Sequence, residues 1–272
     1  MKKRLKKSNK AIYIVSIIGA MLLICLVLVF LKYKQYKEEI NENILEMDTL
    51  VKQVTIDTKS EDEKGTESEV ANEEPCLMHD FDTLKQMNGD VYAWITIPET
   101  KVDYPILQST TDDKYLNTNI DGSSGYPGCI YSNICNSKEF DDYITVLYGH
   151  NMKSGEMFGS LHNFDDANFF QAFDKYTVET EKNRFIYSIY AVVNYNDKLI
   201  PAYFDVKSST GRDAFIESLE ECRENNITHF NDEIEIAGED KVLVLSVCIS
   251  GQENRRYLVV SKLEEVISYS KE

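Results

Sequence analysis

Residues 11–31 read AIYIVSIIGAMLLICLVLVFL, an unbroken apolar run of 21 residues without a single charge. At about 1.5 Å rise per residue, a helix of this length spans a hydrocarbon core of about 30 Å. The run predicts one transmembrane anchor. The ten residues before it, MKKRLKKSNK, hold six basic side chains and no acidic one. Basic residues flanking a span stay on the cytoplasmic side, so the N-terminus is expected inside and the rest of the chain outside. A cleavable signal peptide is the competing reading. However, the run exceeds the usual apolar region of about 7–15 residues, and no small-x-small cleavage site follows it.

The charge is divided around this anchor. The formal net charge is −17, and all 46 acidic residues lie from Glu38 onward, against 20 of the 29 basic ones. A domain this acidic repels polyanions, so nucleic acid is not an expected partner. From Tyr33 to about Ile56, Ile40, Ile44, Met47, Leu50, Val51 and Val54 recur at spacings of three and four. That pattern predicts an amphipathic helix, either a stalk or an element packed on the domain. Residues 57–75 carry eight acidic side chains and no aromatic one. Such a stretch buries too little apolar surface to offset its ordering entropy, and reads as a spacer. The expected organisation is a basic cytoplasmic tail (1–10), an anchor (11–31), a stalk and acidic linker (32–75) and an extracytoplasmic domain (76–272).

Within that domain, Phe81–Met87 predicts a helix ended by Asn88-Gly89. Runs rich in aromatic and β-branched residues predict strands at 92–97, 101–106, 128–131, 143–148, 185–194, 242–248 and 257–261. Many short strands with few helices indicate a mainly β fold, a barrel or a sandwich. One helical insertion stands out at Gly211–Arg223, with Phe215, Leu219 and Cys222 on one face. The cysteines at 76, 129, 135, 222 and 248 lie outside the anchor, where Cys25 sits. Their odd number leaves at least one free thiol or an intermolecular bridge, and Cys129 and Cys135 are candidates to pair. Their spacing shows no zinc pattern, and no metal or cofactor is expected.

The candidate chemistry lies at strand ends. Cys248 closes the run Val242-Leu-Val-Leu-Ser-Val-Cys248, just before the polar loop Ser250-Gly-Gln-Glu-Asn254. Alternation along a strand places Val242, Val244, Ser246 and Cys248 on one face, and Leu243, Leu245 and Val247 on the other. Of four histidines, His150 closes a similar strand behind Gly149, whereas His79, His162 and His229 lie in polar stretches. Arg255 and Arg256 open the strand after Cys248, and a hairpin would set one of them beside it.

Taken together, Tyr148-Gly149-His150-Asn151-Met152, Leu245-Ser246-Val247-Cys248 and Arg256-Tyr257-Leu258-Val259 resemble the sortase family. Its signatures are a strand-end Gly-His pair, a cysteine ending an L-x-T-C run and an arginine opening the next strand. The segments Asn88–Ile97 and Val102–Gln108, with the late helical insertion, are similar to the class B branch. The resemblance covers about residues 80–263 and implies a sortase-like β-barrel with an N-terminal helix. It further implies a cysteine transpeptidase that cleaves a C-terminal sorting motif of secreted proteins through a thioester. The acyl group would pass to an amine of a peptidoglycan precursor or of another protein. In that reading Cys248 is the nucleophile, His150 the proton-transfer partner and Arg256 the electrostatic clamp, chosen over Arg255 by family register. Ser246 and Tyr148, which share the faces of Cys248 and His150 by parity, are expected to line the substrate groove. One residue departs from the pattern: Val247 stands where the family carries threonine. A non-catalytic surface module or inactive paralogue is the alternative that this departure keeps open.

Overall fold

The computed structural model describes residues 2–56, 76–223 and 228–269. The chain divides into two compact units, residues 1–46 and 47–272. The first is the bulk of one continuous helix, α1 (Lys2–Val54). The described apolar side chains between Tyr13 and Leu31 are exposed, on a helix long and apolar enough to cross a membrane. The acidic stretch 57–75, read above as a spacer, lies outside the described residues.

The last turns of α1 belong to the second unit, where Met47, Leu50 and Val54 are buried. The spacing of three and four residues therefore marks a packed face in this segment. Ile56 N–H donates to Met78 O at 2.8 Å, and Asp80 N–H to Val54 O at 2.9 Å, which ties the helix end to the domain. Asp80 then caps α2 (Phe81–Met87), its carboxylate accepting from Thr83 N–H at 3.0 Å. This satisfies one of the donors that a helix start leaves free.

The remaining chain builds a barrel. Its strands are β1 (Val91–Thr96), β2 (Asp103–Leu107), β3 (Ile130–Ser132), β4 (Ile144–Tyr148), β5 (Lys175–Glu179), β6 (Asn183–Asn196), β7 (His229–Phe230), β8 (Val242–Ile249) and β9 (Gln252–Ser268). The sheet order is β5-β1-β2-β3-β4-β8-β9-β6-β7, and a β5–β6 pairing closes the first eight strands into a ring. Closure removes the unpaired edges that an open sheet exposes. Most pairings are antiparallel, but β2–β3 and β4–β8 are parallel. Short helices α3 (Ala167–Ala172), α4 (Ile200–Tyr203) and α5 (Ser209–Glu220) complete the unit.

The expected strands are present with shifted ends, and sequence reading passed over β5 and β7. In β5 the signal was two buried residues of one alternation, Tyr176 and Val178, in a five-residue strand. Its identity rests instead on pairing with both β1 and β6. Cys129 and Cys135, candidates for a disulfide, are both free thiols, Cys129 buried and Cys135 half-buried.

The helical insertion covers one outer wall. Ser208 caps α5 by accepting from Gly211 N–H at 3.1 Å. Phe215 and Leu219 of α5 and Ile200 of α4 join Ile144, Val146, Val242, Val244, Leu258 and Val260 in one buried cluster. That wall is therefore the face carrying Val242 and Val244, and alternate residues Leu243, Leu245 and Val247 point into the barrel. Both faces are apolar because both are buried. Phe215 is fully buried in this cluster, so Phe215→Ala is expected to cost about 3–5 kcal/mol of unfolding free energy. Denaturant unfolding of the 47–272 unit measures it.

Candidate active site

Register brings the candidate residues together. β4 runs parallel to β8, from Ile144 opposite Val242 to Tyr148 opposite Ser246. Gly149 N–H still reaches Ser246 O at 3.4 Å, so two further residues set His150 level with Cys248. On its other side β8 pairs antiparallel with β9, placing Ser246 opposite Leu258, Val247 opposite Tyr257 and Cys248 opposite Arg256. His150, Cys248 and Arg256 thus form one row across three adjacent chain segments. Neighbouring strands lie about 4.8 Å apart, within reach of side chains. Arg255 instead pairs with Asn196 on β6 and lines a separate depression with Ser218 and Cys222. The hairpin register thus sets Arg256, rather than Arg255, directly opposite Cys248.

Cys248 is exposed, unlike the six buried residues before it in β8. A groove of about 330 Å³ opens beside it, lined also by Ser246, Tyr148, Arg256, Gly149 and Leu258. Asp113, Leu116 and Tyr131 form part of its wall, as do residues 196–200. The groove continues the α5-covered face: where the helical cover ends, the same row of side chains is open to a ligand. Val247 is 1% exposed and points the other way, into the barrel, opposite Tyr257.

His150 is half-buried and does not itself line the groove, although its neighbour Gly149 and its hydrogen-bond partner Leu116 do. Its Nε2 lies 2.7 Å from Leu116 O, and the ring of Tyr126 stands 4.7 Å from its own. A carbonyl oxygen only accepts, so the neutral imidazole carries its proton on Nε2 and leaves Nδ1 as an acceptor. Burial lowers the His150 pKa, partly opposed by the Leu116 carbonyl. Gly149 is needed for close packing, since a Cβ there would lie 2.5 Å from Ile130 Cδ1 and 2.8 Å from the Phe158 ring.

Tyr148 and Ser246 both line the groove. The Tyr148 ring stacks on Tyr131 at 5.4 Å, and its hydroxyl is buried without a hydrogen-bond partner among the described residues. Burial pushes its pKa up, so it stays a neutral donor. Tyr131 donates to Asp113 Oδ1 at 3.0 Å, which fixes that wall. Sequence reading missed Leu116, Tyr131 and Asp113, because nothing local distinguishes them from packing or turn residues. A second, more open depression of about 660 Å³ lies beyond Asn151 and Ser250, and neither the side chain of Cys248 nor that of Arg256 lines it.

The lowered His150 pKa has a measurable consequence. The unfolded chain binds a proton at about pH 6.5, and the folded chain only at lower pH. Stability is therefore lost as pH falls below about 6.5 and regained as it rises. An NMR titration is expected to place the His150 midpoint below 6.5. In His150→Gln the slope of stability against pH is expected to flatten just below that pH.

Comparison with known proteins identifies the family. Residues 95–264 match the model of the sortase domain. Sortase B of Listeria monocytogenes is 31% identical over 182 residues, covering 66% of this chain and 72% of that one. Sortase B of Staphylococcus aureus is 22% identical over 188 residues, 68% of this chain and 75% of that one. Among solved structures, Clostridium perfringens sortase B superposes with a TM-score of 0.61 at 28% identity. The superposition covers 68% of this chain and all of that one. A single cysteine stands open on a barrel wall, level with a neutral histidine and an arginine, in a chain with these relatives: it belongs to the sortase family, as a sortase B-like cysteine transpeptidase.

Proposed function

We propose that this chain cleaves a C-terminal sorting motif of secreted proteins at Cys248 and transfers the acyl group to an amine of the cell wall or of another protein. The observation that carries the reading is the row His150–Cys248–Arg256, of which Cys248 and Arg256 line the groove. Each side chain has one role in it. His150, resting neutral with Nδ1 free of the proton, takes the proton of the Cys248 thiol. The thiolate attacks the scissile carbonyl. Negative charge develops on the carbonyl oxygen, and the guanidinium of Arg256, always charged and rich in donors, stabilises it. His150 returns its proton to the departing amine, and a thioester remains on Cys248. An incoming amine then attacks the thioester, loses a proton to His150 and leaves as the new amide, restoring the thiol.

The groove supplies the rest of the reading. Tyr148 offers a buried hydroxyl with no partner among the described residues, and Ser246 a further hydroxyl in the groove lining, both suited to the polar backbone of an extended peptide. The helix 2–54 anchors the chain with its basic end in the cytoplasm, which keeps the barrel at the membrane where secreted substrates emerge. A protein amine is a reasonable acceptor, since a Streptococcus pyogenes class B sortase, 28% identical to this chain, takes part in pilus biogenesis.

Cys248→Ala is expected to abolish cleavage of every peptide in a sorting-motif library. Mass spectrometry of the wild type is expected to trap a peptide thioester on Cys248, and no adduct on any peptide would overturn the reading. Arg256→Ala is expected to lower kcat by about 100- to 1000-fold, the usual loss of an oxyanion donor, with Arg256→Lys failing to restore it because the donor fork is lost. Val247→Thr is expected to change the cleavage rate by less than about tenfold, because this side chain points into the barrel.

A further inference from the structure

Beside Cys248, a side chain stands where the ladder calls for backbone. A continuing parallel pairing of β4 with β8 would next join the backbone N–H of Asn151 to the carbonyl of Cys248. The chain has already turned away there: His150 O accepts from Phe158 N–H at 3.1 Å, and Asn151 bridges to Met157. The side-chain Nδ2 of Asn151 fills the place instead, donating to Cys248 O at 2.8 Å. Cys248 O can only accept, which fixes the orientation of the amide. Its second hydrogen faces His162 Nε2 at 3.1 Å. That nitrogen is then the acceptor, and on the far side of the ring His162 Nδ1 lies 3.5 Å from Asp165 Oδ2. On the other side of β8 the ladder slips between Cys248 and Ile249. Regular pairing thus ends at the nucleophile on both sides, and on the β4 side the Asn151 amide is the hydrogen bond that holds it.

We propose that Asn151 is a positioning residue of the transpeptidase, fixing the Cys248 backbone against the imidazole of its own chain neighbour, His150. One hydrogen bond then sets both partners of the proton transfer, because the residue that grips Cys248 O is bonded directly to the one that carries the base. A misplacement of about 1 Å at such a pair costs on the order of 100-fold in rate. The inference rests on the reading of Cys248 and His150 as the working pair, so its test has one arm that needs no substrate.

The full chain in detergent is compared with Asn151→Ala and with Asn151→Asp, which keeps the shape and removes the donor. In the first arm, kcat for a cleaved sorting peptide is expected to fall at least fivefold while KM stays within twofold. In the second, iodoacetamide labelling is followed peptide by peptide: Cys248 is expected to react at least threefold more slowly, with exposed Cys76 unchanged. Should Asn151→Asp fail to fold, Asn151→Ala carries both arms. A smaller fall in kcat, a loss carried by KM, or unchanged labelling of Cys248 overturns the proposal. A wild type that cleaves no peptide counts against the proposed function, and the labelling arm then decides the role of Asn151 alone.

Discussion

The parallel pairing of β4 with β8, and the hairpin that carries β8 into β9, are the constraint on which the rest of the molecule depends. A strand's side chains alternate, so a slip of one residue in either pairing would turn Val247 toward the groove and Cys248 toward the barrel. Both faces of β8 are buried along most of its length, which holds the register against such a slip. Barrel closure through β5 and β6 flanks β8 with a partner on each side, so it has no free edge of its own at which to rearrange. The row of His150, Cys248 and Arg256 is therefore a product of core packing as much as of local sequence.

The same wall changes character along its length. Val242 and Val244 are sealed under Phe215, Leu219 and Ile200, and Ser246 and Cys248 follow on the same face beyond the cover. Covering the first half supplies hydrophobic stabilisation that fixes the strand, and leaving the second half open makes a groove. His150 lies at the boundary. Its half-burial keeps the imidazole neutral, and the Leu116 carbonyl chooses which nitrogen holds the proton. The imidazole of His150 is thus held in one orientation and one tautomer by a carbonyl acceptor from the loop through residue 116.

Much of this was legible in the chain. The 21-residue apolar run follows from composition alone, since a membrane-length helix needs nothing but length and absence of charge. The alternation through Val242–Cys248 set the face of Cys248 and of Val247, and α2 could be read up to its Asn-Gly stop. Short, weakly patterned elements were not legible. β5 is a strand because β1 and β6 flank it, and the last turns of α1 are packed because residues 76–80 bond to the helix end.

The sequence by itself determined the membrane-length apolar helix, the mainly β character and the residue types at three strand ends, because period, composition and residue type are local properties of the chain. Only the tertiary structure decided that Arg256 rather than Arg255 faces Cys248, that Leu116 fixes the tautomer of His150, and that Asn151 completes the ladder. Each of these depends on which segments lie side by side, over separations from a few residues across the β8–β9 hairpin to 97 between Asn151 and Cys248. Strand register and loop packing set such neighbours, and they are settled only when the whole barrel closes.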